Sequence, residues 1–289
     1  GYPVMIKASA GGGGRGMRVA HNDVSLVNAV LAARAEAMAA FGDDTIYVEK
    51  KLDRARHVEI QILADGEGNL VHLGERDCSI QRRHQKLVEE APAPTLSAET
   101  RAALGEAALK IARAASYTNA GTAEFLVDAT GAFYFLEVNA RIQVEPPVTE
   151  MPTGVDIVKE QIRIAAGEPL RFRQEEVRIQ GAAIECRINA EDPDKGFRPS
   201  PGRIGRYYPP GGNNIRVDSH AYGGYRVPPN YDSMIGKLIV HRPTRSQAVT
   251  TMRRALEEYV VEGIQTTIPL YLKLFDDVRF IRAEVDIEF

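Results

Sequence analysis

Apolar and polar positions divide the chain into short alternating runs separated by alanine-rich helical stretches. Val4 to Ala8 reads as a strand entering Ser9-Ala10-Gly11-Gly12-Gly13-Gly14-Arg15-Gly16, and 17–20 is strand-like again. Asn22 or Asp23 is placed to cap a long helix over 24–41, and 46–49 is a strand. In 57–64, Val58, Ile60 and Ile62 alternate with His57, Glu59 and Gln61, the signature of a half-buried strand. The turn Asp65-Gly66-Glu67-Gly68 returns the chain as a hairpin partner over 69–75. Ser97 opens a helix to about 115, with Glu99 in its first turn. A second hairpin, 122–127 with 132–139, turns at Asp128-Ala129-Thr130-Gly131. Residues 155–166 form a helix closed by Gly167 and Pro169. Beyond about 178 the texture changes to short strands between Gly- and Pro-rich turns, with one helix over 245–262 ended by Gly263. A domain boundary is expected at 176–180, and the class is α+β.

Composition narrows the function classes. Lys plus Arg number 36 and Asp plus Glu 39, a net charge of −3, which argues against a nucleic-acid binder relying on bulk positive charge. No contiguous apolar run approaches the roughly 20 residues of a membrane helix, so no membrane association is expected. Cys78 and Cys186 have neither CxxC nor framework spacing, which fits a reducing compartment: the cytoplasm, or the mitochondrial matrix in a eukaryote. The chain opens at Gly1 without an initiator Met and runs straight into a strand, so the start reads as cut.

Four clusters carry candidate chemistry. Gly11, Gly13 and Gly16 satisfy G-x-G-x-x-G, but residues 17–20 read as a strand, not the helix a Rossmann loop requires, and Arg15-Gly16-Met17 does not complete a Walker A motif. Strand, glycine loop, strand describes a hairpin whose N–H groups fold over a polyphosphate, with Lys7 neutralising charge; the competing reading is a surface turn. Glu124 and Glu137 flank the second hairpin turn, opposite or diagonal on one face, a spacing that suits Mg²⁺. The competing reading, two solvated glutamates, fits poorly with Phe125, Phe133 and Phe135 around them. In 136–145, Glu137, Asn139, Arg141, Gln143 and Glu145 alternate with apolar residues; in an extended chain all five face one way and can hold a metal, a planar anion and a base in a row. Arg141 has the fork geometry for carboxylate or bicarbonate. The plainer reading is one wet face of an amphipathic strand. Gln81-Arg82-Arg83-His84-Gln85-Lys86 is basic, but Glu89-Glu90 comes directly after it and it lacks aromatics, so phosphate or sugar hydroxyls suit it better than nucleic acid. His57 and His84 have no zinc spacing, and structural and catalytic roles stay open for each.

These segments, with Ile6-Lys7-Ala8-Ser9, His57-Val58-Glu59-Ile60-Gln61, Glu75-Arg76-Asp77-Cys78-Ser79, Asn139-Ala140-Arg141-Ile142-Gln143-Val144-Glu145, Glu185-Cys186-Arg187-Ile188-Asn189-Ala190-Glu191-Asp192-Pro193 and Tyr231-Asp232-Ser233-Met234-Ile235-Gly236-Lys237, resemble biotin carboxylase. That is the ATP-grasp component of biotin-dependent acyl-CoA and pyruvate carboxylases, and the resemblance covers essentially the whole chain. It implies an ATP-grasp lid over 1–51, an antiparallel-sheet core over 52–178 and a β-rich C-terminal domain over 179–289. It also implies that Lys7 and Gly11, Gly12, Gly13 and Gly14 bind ATP phosphates. Glu49, Lys50 and Leu52 would line the adenine, with His57, Gln81 and His84 near ribose or phosphates. Glu124, Glu137 and Asn139 would hold Mg²⁺ or Mn²⁺. Lys86, Arg141, Gln143 and Val144 would hold bicarbonate, Glu145 would be its general base, and Arg187 would stabilise the biotin enolate. Bicarbonate attack on the γ-phosphate gives carboxyphosphate, which yields CO₂ and a phosphate that takes the biotin N1 proton. The implied partners are a biotin carboxyl carrier protein or domain, a carboxyltransferase and a second copy of the chain.

Three departures from the family pattern stand out: Pro146 where His is usual, which restricts Glu145 to extended geometry; Ala10 in place of a loop glycine; and no N-terminal nucleotide-fold domain before Gly1. The alternatives are another ATP-grasp carboxylate ligase and an inactive nucleotide-binding or dimerising fragment.

Overall fold

The structure, a computed structural model, describes residues 1–11 and 17–289; Gly12, Gly13 and Gly14 lie outside the described residues. The chain forms two compact units, residues 1–55 with 81–85, and residues 56–80 with 86–289.

In the first unit, β1 (Val4–Ala8) lies between β2 (Arg18–Ala20) and β3 (Ile46–Lys50) in an antiparallel sheet. Helix α1 (Asp23–Phe41) begins at a reciprocal cap: Asn22 Oδ1 accepts from the Ser25 N–H, and Ser25 Oγ accepts from the Asn22 N–H. It stops where Gly42 takes a left-handed φ of 72° and donates to Met38 O. Ala29 and Ala33 pack with Ile6 and Ala20; their small side chains let the helix lie close to the sheet. By length and composition alone α1 could cross a membrane, with a mean hydropathy of 1.4. This corrects the expectation that no such segment exists: Ser25, Asn28, Arg34 and Glu36 interrupt every contiguous apolar run without making the helix polar on average. The same unit holds a tight turn at Arg83 and His84, both left-handed, with φ of 48° and 67°.

The second unit is built on β4 (Arg56–Ala64), β5 (Leu70–Arg82), β6 (Gln85–Ala91), β7 (Asn119–Val127), β8 (Phe133–Asn139), β9 (Ala182–Asn189), β10 (Ile215–Ser219) and β11 (Met234–Arg242). They form one eight-stranded sheet in the order β10-β11-β9-β6-β5-β4-β7-β8. One face is apolar. There Val58, Ile60 and Ile62 meet Leu104, Ala108 and Ala112 of α2 (Ala98–Ala114). Further along, Ile184, Cys186, Leu238 and Val240 meet Ala248 and Met252 of α5 (Arg245–Glu258) and Tyr271 of α6 (Ile268–Asp276). The other face is polar over its centre and is covered by α3 (Pro146–Thr153) and α4 (Ile157–Ala165). Val148 of α3 packs on Ala91 and Ala183, and Ile157 and Ile164 of α4 pack near Leu63 and Ala120.

The first departure from expectation lies on this polar face. The 57–64 strand is not half-buried: His57, Glu59 and Gln61 are as buried as the apolar residues between them. Alternation there separates a core face from a covered polar face, not from solvent. The helix after Arg245 stops at Glu258 rather than 262, because Val260–Val261 pairs as a short strand with Tyr207–Tyr208. Two further helices in this region, α6 and α7 (Val278–Ile281), have no counterpart in the sequence pattern; Pro269 sits in the first turn of α6, where its missing N–H costs nothing.

Candidate functional site

The polar face assembles by strand register. Glu59 of β4 lies opposite Arg76 of β5 on one side and Glu124 of β7 on the other, and Glu124 lies opposite Glu137 of β8. Residues facing each other across antiparallel strands share a face with Cβ atoms about 5 Å apart, so the two candidate metal carboxylates do point to one place. The register slips directly after this pair, between Glu124 and Phe125, a local irregularity of the kind that re-aims side chains near sites.

Lys86 is the hub. Its Nζ pairs with Glu59, lies 2.9 Å from Glu124 Oε1 and 2.7 Å from Glu145 Oε1. His57 Nε2 is 3.0 Å from Glu124 Oε2, while Asn139 Nδ2 and Gln143 Nε2 each donate to Glu124 Oε1 at 3.0 Å. Arg187 of β9 donates through Nη2 to Glu145 Oε2 at 2.9 Å and through Nε to Glu89 Oε1 at 2.7 Å. Lys237 of β11 donates to the Val144 carbonyl at 2.9 Å, tying the segment before α3 to the sheet. Arg141 is exposed and bonds only its neighbours, Asn139 Oδ1 and the Ile142 carbonyl, among the described residues.

The extended row expected over 137–145 is not what the structure shows: Glu145 joins the cluster, Arg141 does not, and the geometry differs. Residues 137–145 are not one extended strand: β8 ends at Asn139, and Glu145 sits at φ −86°, ψ 0° as the residue before α3. Pro146 does not hold it extended. Instead two consecutive prolines open α3, the position where a helix tolerates them. Glu145 reaches the site because the chain folds back there, and its Oε2 also accepts the Val144 N–H at 2.9 Å.

Charge is balanced tightly inside the sheet. Burial would raise the Glu59 carboxyl, but Arg76 and Lys86 hold it down at about 2. Burial acts the same way on Glu124, and His57 and Lys86 hold it well below the usual carboxylate range. Lys86 is pushed above an ordinary lysine: burial opposes its charge, but Glu59 and the other acids around it outweigh that. Burial pushes the Cys78 thiol up, so it is a neutral packing group here.

Arg76 is the residue that sequence reasoning misses most clearly. It is fully buried, pairs with Glu59, donates to Gln61 Oε1 at 2.8 Å and Thr149 Oγ1 at 3.0 Å, and so links β4 to α3. Its only signal is a charge at a period-two position of a strand. Glu59, Glu89 and Lys237 escape notice in the same way.

The first unit contains the other expected group. Lys7 Nζ pairs with Glu49 Oε2 at 2.5 Å across β1 and β3; Lys50 is exposed, and Leu52 is half-buried. Gly11 is described, and its N–H bonds the Ala8 carbonyl. Gln81 is half-buried and His84 exposed at the tight turn.

A three-stranded sheet with one helix, a large antiparallel sheet and a buried acid–lysine cluster define an ATP-grasp protein. The family described as carbamoyl-phosphate synthase L chain, ATP binding domain, matches residues 1–173, and biotin carboxylase C-terminal domain matches 185–289. The chain belongs to the biotin carboxylase family of ATP-grasp proteins. It is 57% identical to a biotin carboxylase of Nostoc sp., over 100% of this chain and 65% of that protein. Among solved structures, a Campylobacter jejuni biotin carboxylase–β-γ-ATP complex superposes with a TM-score of 0.97 at 50% identity, covering 100% of this chain and 64% of that one. The biotin carboxylase domain dimer of Hydrogenobacter thermophilus 2-oxoglutarate carboxylase, with MgADP, ADP and bicarbonate, gives 0.96 at 54% identity over 100% and 64%. The chain thus spans just under two thirds of the length of these relatives.

Proposed function

We propose that the chain carries out the ATP- and Mg²⁺-dependent carboxylation of carrier-bound biotin with bicarbonate. The observation that carries this reading is Glu145: a buried carboxylate whose two oxygens meet Lys86 and Arg187, beside the Glu124–Glu137 pair. A base flanked by cations and a metal-suited acid pair is what bicarbonate deprotonation next to a phosphate requires.

The residues fit the metal. Glu137 is half-buried next to Glu124 and has no hydrogen bond or ion pair among the described residues, so it offers an uncommitted oxygen donor, with Asn139 beside it. Mg²⁺, when bound, supplies charge neutralisation for phosphate oxygens. They also fit bicarbonate: Gln143 Oε1 is buried with no partner among the described residues and can accept from a bound O–H, while Lys86, Arg141 and the Val144 N–H, the last once it leaves Glu145 Oε2, would supply donors to its oxygens. Glu145 takes the proton. Arg187 then faces the developing negative charge on the biotin ureido oxygen.

In the first unit, Lys7 with Gly11, Gly12, Gly13 and Gly14 would meet nucleotide phosphates, Glu49, Lys50 and Leu52 the adenine, and Gln81 and His84 the ribose or phosphates. His57, held by Glu124, would contribute from the core. The division into lid (1–51), core (52–178) and C-terminal domain (179–289) belongs to the same proposal. So do a homodimer, a biotin carboxyl carrier, a carboxyltransferase and a cytoplasmic setting. The two thiols, both free and buried, fit that compartment.

The test is ATP cleavage by the purified protein with bicarbonate and free biotin. Cleavage that needs bicarbonate and rises with biotin is the expected result. Cleavage indifferent to both would point to a different ATP-grasp ligase, and failure to bind Mg-ATP would point to an inactive module.

A further inference from the structure

Behind Arg187 lies a second pair of acids that the proposed reaction does not use. Glu89 on β6 and Glu185 on β9 are direct register partners, so their side chains leave the same face side by side. Both are fully buried. Of their four carboxylate oxygens, three have no hydrogen-bond partner among the described residues: Glu89 Oε2 and both oxygens of Glu185. The fourth, Glu89 Oε1, accepts from Arg187 Nε at 2.7 Å, and the same guanidinium reaches Glu145 Oε2 through Nη2 at 2.9 Å.

Two adjacent buried carboxylates cannot both be ionised when one arginine serves them and a third acid as well. Lys237, opposite Arg187 on β11, favours an ionised Glu185, but it also serves the Val144 carbonyl and lies 3.6 Å from Asp218 Oδ2. Lys86 is taken up by Glu59, Glu124 and Glu145. Burial and the neighbouring Glu89 outweigh these cations at Glu185. A proton placed between the two glutamates satisfies Glu89 Oε2 and one Glu185 oxygen at once. It leaves one charge, on Glu89, where Arg187 needs it. Burial pushes Glu89 up to about 7 and Glu185 well above the usual range, so the proton resides on Glu185.

We propose that Glu89 and Glu185 form a carboxylate–carboxyl pair sharing one proton, and that this pair is the positioning device that aims Arg187 at Glu145. Glu89 clamps Nε and fixes the plane of the fork. Glu185, as a neutral acid, donates to Glu89 and keeps that anion oriented without adding a second charge. The catalytic consequence rests on the biotin carboxylase reading; the pair itself does not.

The experiment therefore has spectroscopic and kinetic arms on wild type, Glu185→Gln and Glu89→Gln. At neutral pH the infrared difference between wild type and Glu185→Gln should show the carbonyl stretch of a buried protonated carboxyl that belongs to wild type. The Arg187 Nε–H signal in ¹⁵N NMR should be protected from exchange in wild type and in Glu185→Gln, whose amide still donates to Glu89, and should lose that protection in Glu89→Gln. In kinetics, Glu185→Gln should stay within about twofold of wild type. Glu89→Gln should lose at least tenfold in biotin-stimulated kcat while KM for ATP moves less than about twofold. Absence of the carboxyl band from that difference, or equal kinetic losses in both variants, overturns the proposal. Wild type with the band and the protected Nε–H but without biotin-stimulated turnover would support the pair and count against the carboxylase reading instead.

Discussion

Lys86 and Glu145 form a buried ion pair, with 2.7 Å between Nζ and Oε1, and the same ammonium also pairs with Glu59 and Glu124. One cation thus joins the candidate base to a candidate metal ligand and to the charge network beneath them. On the proposed reading bicarbonate would enter between these groups; the site in any case carries its own counter-charges.

That pair sets the first prediction. Glu145→Gln keeps the shape and can still accept from Arg187, but cannot take a proton. Bicarbonate-dependent phosphate release should fall by about 10²–10⁴-fold, while nucleotide affinity measured by calorimetry stays within about twofold. Turnover near wild type would remove Glu145 from the base role.

Arg76 should matter for stability rather than for binding. Replacing a buried cation that serves Glu59, Gln61 and Thr149 leaves a buried acid short of a partner. Arg76→Met is expected to cost about 3–5 kcal/mol in urea unfolding. Lys86 still pairs with Glu59, so the lower end of that range is expected. A loss below about 1 kcal/mol would mean the network relaxes around the change.

Glu59 fixes the sign of the pH dependence. Its folded-state value of about 2 lies below an ordinary carboxylate near 4.5, so the folded state favours its ionised form. The stabilisation is complete above about pH 4.5 and is lost as pH falls toward 2. A shift of this size corresponds to about 3 kcal/mol by linkage. The stability gap between wild type and Glu59→Gln should therefore be flat from pH 8 to 5 and narrow as pH falls to 3. A gap that widens on acidification would reverse the assignment of charge in the network.

What the sequence made legible was the local pattern. The strand Val4–Ala8, the Asn22 cap, the helix after Ser97 and the Glu124–Glu137 register all come from period and capping, which depend on near neighbours. What stayed hidden depends on layers. His57, Glu59 and Gln61 look like a solvent face until Glu124, Arg76 and Lys86 from other strands are set around them. Glu145 aligns with Asn139 only in an imagined extended strand; its true position comes from a turn that no periodicity encodes. Glu89 and Glu185 lie 96 positions apart and meet only through the register of β6 with β9.

The last prediction concerns the turn at Arg83 and His84. Two-residue hairpin turns with left-handed residues favour Asn-Gly, and here both positions carry bulky side chains at φ of 48° and 67°. Left-handed geometry costs a non-glycine residue about 1 kcal/mol, so His84→Gly should hold or raise thermal stability, the relief offset in part by glycine's larger unfolded-state entropy. If the imidazole contributes to nucleotide binding, the same change should weaken ADP affinity by about three- to tenfold. Calorimetry and a thermal melt on one variant separate the two effects. Stability kept with affinity lowered identifies strain retained for binding. Affinity unchanged assigns His84 to the turn alone, and a large loss of stability shows that the side chain packs rather than binds.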